Sequence, residues 1–82
     1  MNNVKELLSN IDKLHTTVRG VARIRKDLGI DDEDAVEYCR SLVLDPGAEI
    51  VRNGKNWYVS VKGAVITVNA HSCTIITAHR AK

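Results

Sequence analysis

Three imidazoles, His15, His71 and His79, stand among arginines in a chain of 82 residues. Two of them fall in its last stretch, VITVNAHSCTIITAHR (65–80), beside Asn69, Thr77 and Arg80 and without a single carboxylate. These residue types suit work on a phosphate ester. Metal-independent cleavage of RNA needs a base for the 2′-hydroxyl proton, an acid for the leaving 5′-oxygen, and cations around a crowded phosphate. Histidine serves either proton role near neutral pH, and arginine or lysine stabilises the charge that develops on phosphorus. No acid follows Glu49, so a general base in that half would have to be His71 or His79. His15 precedes an expected helix start, where the N–H groups of Thr17 and Val18 would face a phosphate. Arg19 and Arg23 follow at i and i+4 on one face of that helix. Lys55, Asn69, Thr77 and Arg80 complete the candidate phosphate set, and Trp57 and Tyr58 are candidates for stacking a base.

Each residue alone has a plainer reading: a tryptophan belongs in a core, and three histidines are ordinary for this length. The joint occurrence of the types is what points to phosphate chemistry. A metal is not expected, because the histidines lack ligand spacing and neither Cys39 nor Cys73 has a partner two to four residues away. No cofactor is implied. Cys39 and Cys73 read as small, partly buried free thiols of a cytoplasmic protein.

The elements that must position these groups follow from periodicity. Val4, Leu7, Leu8, Ile11 and Leu14 form one helical stripe over Val4–Leu14. Thr16 or Thr17 can cap a second helix, Val18–Leu28, which Gly29 closes in the left-handed conformation, with Ile30 folding back on it. Asp31 or Asp32 then caps a third helix running to about Leu42, its acids suited to the helix dipole.

Asp45-Pro46-Gly47 breaks the pattern, and the period changes from 3.6 to 2. Strands are expected at Glu49–Arg52, Lys55–Val61, Ala64–Ala70 and Cys73–Arg80, turning at Asn53-Gly54, Lys62-Gly63 and His71-Ser72. The last hairpin would pair Ala70 with Cys73, Val68 with Ile75 and Ile66 with Thr77. That arrangement turns Val65, Thr67, Asn69, Thr74, Ile76, Ala78 and Arg80 to the other face and gives His79 core-facing parity at the sheet rim. The fold class is α+β: one domain over 1–82, with about three N-terminal helices (3–43) packed on one face of a four-stranded antiparallel meander (48–80).

Composition agrees with a small soluble globule. The chain is 44% hydrophobic and 27% charged, with no Phe, so its core rests on Val, Ile and Leu. No apolar run approaches the ~20 residues that span a bilayer, and no signal-peptide pattern opens the chain; a membrane partner is not expected. The net charge of +2 hides a segregation. Residues 13–26 carry Lys13, Arg19, Arg23, Arg25 and Lys26 with no acid, whereas 31–37 carry Asp31, Asp32, Glu33, Asp34 and Glu37 with no base. Arg52, Lys55, Lys62, Arg80 and Lys82 follow, again without an acid. One-signed segments of this kind attract polyanions.

Three segments, LHTTVRGVARIRKDLGI (14–30), GKNWYV (54–59) and ITVNAHSCTIITAHR (66–80), together resemble a family of small bacterial and phage-borne proteins catalogued as a domain of unknown function. Helices followed by a four-stranded meander with GKNWYV and a terminal IITAHR strand also resemble the barnase–EndoU–colicin–RelE-like fold of RNases and toxins. The second resemblance implies RNA cleavage without metal on a concave sheet face. It fixes no catalytic motif onto His15, Arg19, His71, Thr77, His79 or Arg80, because that group uses varied mixtures of His, Lys, Arg, Thr and Tyr. The leading expectation is a toxin-like RNA-binding or RNA-cleaving domain with its site between the second helix and the sheet and, as partners, RNA and an antitoxin or other protein. The alternative is a non-catalytic phage or mobile-element protein that binds a host protein or nucleoprotein complex through a sheet edge or its split charge; a small-ligand pocket built from the same polar residues ranks last.

Overall fold

A computed structural model describes residues 4–30 and 34–80. The element order is α1 (Val4–Ser9), a 3-10 turn (Ile11–Lys13), α2 (Val18–Leu28), α3 (Ala35–Val43) and strands β1 (Glu49–Asn53), β2 (Asn56–Val61), β3 (Ala64–Asn69) and β4 (Ile75–Arg80). The strands form one antiparallel sheet in sequence order. All three helices lie against one face of it, α2 along β4, α1 by β1 and α3 by β2, as the segregation of periods predicts.

Local chemistry explains the helix limits. The expected first helix is cut short: after Ser9 the chain tightens into the 3-10 turn, so Leu7 and Leu14 reach the core from separate elements. In α2, Thr17 Oγ1 accepts from Gly20 N, and Gly29 closes the helix at φ +68° while Ile30 N donates back to Arg25 O. That is the expected cap at each end. The cap of α3 is Asp34, whose Oδ1 accepts from Val36 N and Glu37 N; the expected capping residues Asp31 and Asp32 lie outside the described residues.

Turn chemistry sets the sheet register. Gly54 takes φ +61°, and Asn53 pairs with Asn56, so the first turn is centred on Gly54-Lys55, one residue later than expected. Lys62 and Gly63 both take positive φ between the paired Val61 and Ala64, the geometry of a two-residue hairpin turn. The third connection is longer. Asn69 N donates to Thr74 O and Cys73 N to Asn69 O, with Cys73 at φ +59°, so Ala70 and Cys73 belong to the loop and do not form the expected pair.

Val68 faces Ile75 as expected, but a bulge at Ile76 shifts the remaining pairs of the hairpin: Thr67 faces Thr77, Ile66 faces Ala78 and Val65 faces His79. Four placements are corrected here: Thr77 and His79 lie on the open face, Ala78 is buried in the core, and Arg80 turns to the helix side, where it reaches Leu28 O. Strict alternation from Ile75 would have buried the hydroxyl and imidazole and exposed the alanine methyl; the extra residue avoids the cost of desolvating two polar side chains.

The core lies between the helices and the inner sheet face, centred on Ile24, Leu28, Cys39, Trp57, Val59, Ile66 and Val68. Among the described residues no polar or charged side chain is fully buried.

Candidate functional site

The β1–β2 turn and the β3–β4 loop meet at one end of the sheet, tied by Ala70 N donating to Lys55 O at 2.8 Å. Asn69 organises the loop: its Oδ1 accepts from His71 N, Ser72 N and Ser72 Oγ. Beneath this junction lies a cleft of about 520 Å³ lined by Glu6, Arg52, Lys55, Asn69, Ala70 and His71. Arg52 is held in place there. Its Nε donates to Gly54 O, its guanidinium lies 5.2 Å from the Trp57 ring centroid, and Nη1 stands 3.9 Å from Glu6 Oε1.

His15 joins the same end by a different route. Its N–H donates to Cys73 O and its carbonyl accepts from Ile75 N, a parallel bridge that adds the pre-α2 segment to the start of β4. The ring bridges Lys13 O at Nδ1 (2.8 Å) and Thr74 Oγ1 at Nε2 (3.2 Å), and Thr74 continues to Ser72 at 2.7 Å. Thr16 Oγ1 donates to Ile75 O. A Cβ at Gly20 would overlap Thr16 Oγ1, so glycine there lets Thr16 reach the strand. His15-Thr16-Thr17-x-x-Gly20 is thus a latch: a backbone bridge, a hydroxyl on the sheet, a helix cap and the space for both. With both ring nitrogens held, His15 works as a connector, and the Thr17 hydroxyl is taken up by its own helix.

On α2, Ile24 and Leu28 are buried and Val21 is partly so. At ~100° per residue, the opposite, outward face carries Arg19, Arg23 and Lys26, all exposed. Among the described residues none of these three has an ion-pair or hydrogen-bond partner for its side chain. Elsewhere Arg40 is engaged by Glu37 and Ile11 O, Lys62 by Asp45 and Arg80 by Leu28 O. The exposed Lys5, Lys13, Arg25 and Lys55 are, like the three on the ridge, without a side-chain partner among the described residues.

The remaining candidates are dispersed. Trp57 is 1% exposed and forms part of the core, which corrects its expected role in base stacking. Tyr58, at 36% exposure, and Thr77 stand in the middle row of the open face, and His79 stands one row on, towards the β2–β3 turn. His79 is therefore at the opposite end of β4 from His15 and His71. Arg80 Nη2 donates to the last carbonyl of α2 at 2.9 Å, so this guanidinium caps a helix. The single expected cleft is in fact three surfaces: the end cleft with Lys55, Asn69 and His71, the outer ridge of α2, and the open sheet face.

Among the described residues, Cys39 and Asp45 depart from their ordinary behaviour. Burial pushes the Cys39 thiol up to about 11. Hydrogen bonds from Gly47 N and the Lys62 ammonium hold the Asp45 carboxyl below the usual carboxylate range. Neither borders the end cleft. No three His, Cys, Asp or Glu side chains gather among the described residues in a way that could hold a metal, and no helix among them is long and apolar enough to cross a membrane.

Residues 8–79 match the profile of a family described as a protein of unknown function (DUF3781). The chain belongs to this family. Comparison with curated proteins and with solved structures gave no significant match. The DUF3781 match takes in α2, α3 and the whole meander up to His79. It therefore contains the latch, the α2 ridge and most of the cleft; Glu6 lies just outside it.

Glu6 is a site residue that sequence reasoning passed over, and Arg52 and Lys26 entered it only as members of basic segments, not as site residues. Lys26 was accessible to it, as the i+7 neighbour of Arg19 on a helix whose inward stripe is plain. Arg52 and Glu6 were not, because their meeting depends on α1 crossing the end of β1.

Proposed function

We propose that the protein is a small RNA-binding domain whose principal phosphate contacts are made by the outer ridge of α2. The observation that carries this reading is the row of Arg19, Arg23 and Lys26, exposed, outward and without partners among the described residues. The row covers about 10 Å of helix, the span of about three phosphates along one strand of a duplex. A guanidinium or ammonium already neutralised by a carboxylate would have to give up that partner first; these three would not. Release of counterions then drives binding.

Binding is better supported than cleavage. A proton-shuttling pair needs two groups on opposite sides of one phosphate, whereas His79 is separated from His71 by the length of β4 and both nitrogens of His15 are held. A second reading, docking of a protein partner, is favoured by the open sheet face, where Val51 (48% exposed), Tyr58 and Ile76 (46%) present apolar surface, with Glu49 and His79 in the next row.

The test is fluorescence-anisotropy titration of tRNA and a single-stranded RNA against salt. Replacing Arg19, Arg23 or Lys26 with Ala is expected to weaken binding uniformly across sequences and to lower the salt slope by about 0.7–0.9 for each cation removed from the backbone. Unchanged slopes in all three variants would remove α2 from the interface. Incubation of the same RNAs at micromolar protein, with chelator, is expected to leave them uncut.

A further inference from the structure

The end cleft is a separate feature from the α2 ridge, and its chemistry differs. It is concave and of a size that holds a small molecule, and the residues around it come from four segments: Glu6 from α1, Arg52 from β1, Lys55 from the first turn, and Asn69, Ala70 and His71 from the last loop. Two backbone devices fix its walls. Ala70 N donates to Lys55 O, and the Asn69 side chain holds the amides of His71 and Ser72. Arg52 is oriented by Gly54 O and the Trp57 ring.

We propose that this cleft receives a phosphate monoester of about nucleotide size. Glu6 already faces Arg52 on its border, so the unbalanced charge is the Lys55 ammonium, with the His71 imidazole as a further polar group, and that balance favours an anion. A phosphate monoester fits this border better than a carboxylate does, since it carries close to two negative charges near neutral pH and three terminal oxygens to share between the Lys55 ammonium and the His71 imidazole. Glu6 sets the limit on charge. It stands across from Arg52, accepts from hydroxyl groups on the remainder of the ligand, and repels a second phosphoryl group in that direction. The methyl of Ala70 supplies an apolar patch in the wall. The preferred ligand is thus a singly phosphorylated, hydroxylated molecule, either free or at the terminus of an RNA strand.

The cleft is independent of the α2 interface, so its occupation is read locally. Binding is followed by amide chemical-shift titration with AMP, inorganic phosphate, ADP and, as the uncharged control, adenosine. AMP is expected to move the amides of Gly54, Lys55, Ala70 and His71 and leave those of α2 unmoved, with adenosine moving none and ADP binding no tighter than AMP. Lys55→Ala and His71→Ala change exposed turn and loop side chains, so thermal unfolding should be unaltered; each should weaken AMP about tenfold. Glu6→Gln should strengthen AMP several-fold and reverse the order of AMP and ADP, an effect that loss of structure would not produce. A 5′-phosphorylated tetraribonucleotide that binds tighter than AMP identifies the strand terminus as the source of the phosphate, and equal affinities identify a free small molecule. Equal shifts with AMP and adenosine, shifts confined to α2, or AMP affinity unchanged in both Lys55→Ala and Glu6→Gln would each overturn the proposal.

Discussion

Cys39 and Cys73 show how far environment separates two copies of one side chain. Cys39 is fully buried on α3, and its thiol, pushed up to about 11, stays protonated and unreactive at neutral pH. Cys73 is half-buried in the β3–β4 loop. A short pulse of iodoacetamide on the native protein, read by mass spectrometry, is expected to label Cys73 alone; Cys39 should react only in denaturant, its rate then reporting opening of the core. Asp45 makes the corresponding case for a carboxylate. The Gly47 amide and the Lys62 ammonium favour its charged form, so its folded pKa lies below the unfolded value of about 3.9. This contribution to stability is fully present above the unfolded pKa and is lost as pH falls through the folded one. Urea midpoints measured from pH 7 down to pH 2 should therefore fall less steeply at the acid end for Asp45→Asn than for the parent chain, with the parent the more stable of the two at pH 7. Trp57 teaches the complementary lesson about legibility. Its placement beside Val59 and Val61 on the apolar side of a strand was readable, and that parity already decided against an exposed stacking role.

Between helix and strand, the latch gives a sign reversal to look for. Alanine in place of an interior helical glycine ordinarily stabilises by about 0.5–1 kcal/mol. At Gly20 the new methyl would displace Thr16 Oγ1 from its bond to Ile75 O, at a cost of about 1 kcal/mol for the bond and more for the crowding. Gly20→Ala is thus expected to destabilise by about 1–3 kcal/mol. In a Thr16→Ala background, where the displaced oxygen is gone, the same change should be close to neutral. A double-mutant cycle in urea measures the difference as a coupling energy, and additivity of the two substitutions would disprove the latch. The ends of α2 were legible because caps are local: Thr17 and Gly29 act on neighbours within five residues. The bulge at Ile76 was not, since period-2 counting carries no sign of an inserted residue, and only burial of Ala78 over Thr77 selects it. That one residue is what moved His79 away from its expected parity. The end cleft was half-legible. Lys55, Asn69 and His71 announce themselves as turn residues, but which turns meet is decided by the meander, and Glu6 arrives through the crossing of α1 over β1.

At the scale of the molecule, the helices cover one face of a sheet in a body measuring 35 × 24 × 19 Å, so the outer ridge of α2 and the open sheet face look in opposite directions. A short RNA held along Arg19, Arg23 and Lys26 does not lie against Tyr58 at the same time. This geometry turns the choice between surfaces into an experiment. Arg23→Glu replaces an outward, unpartnered cation by an anion, and because Arg23 contributes nothing to the core the melting temperature should stay within about 2 °C. Its RNA affinity at low salt should nevertheless drop more than about tenfold, since the reversal removes one attraction and adds one repulsion in the path of the backbone. Raising the salt should bring the variant and the parent together, as a screened interaction requires. Tyr58→Ala, on the far side, should leave both affinity and salt slope unchanged. The opposite pattern, with Tyr58→Ala weakening RNA and Arg23→Glu indifferent, would place the nucleic acid on the sheet and leave the unpaired ridge of α2 as solvated charge.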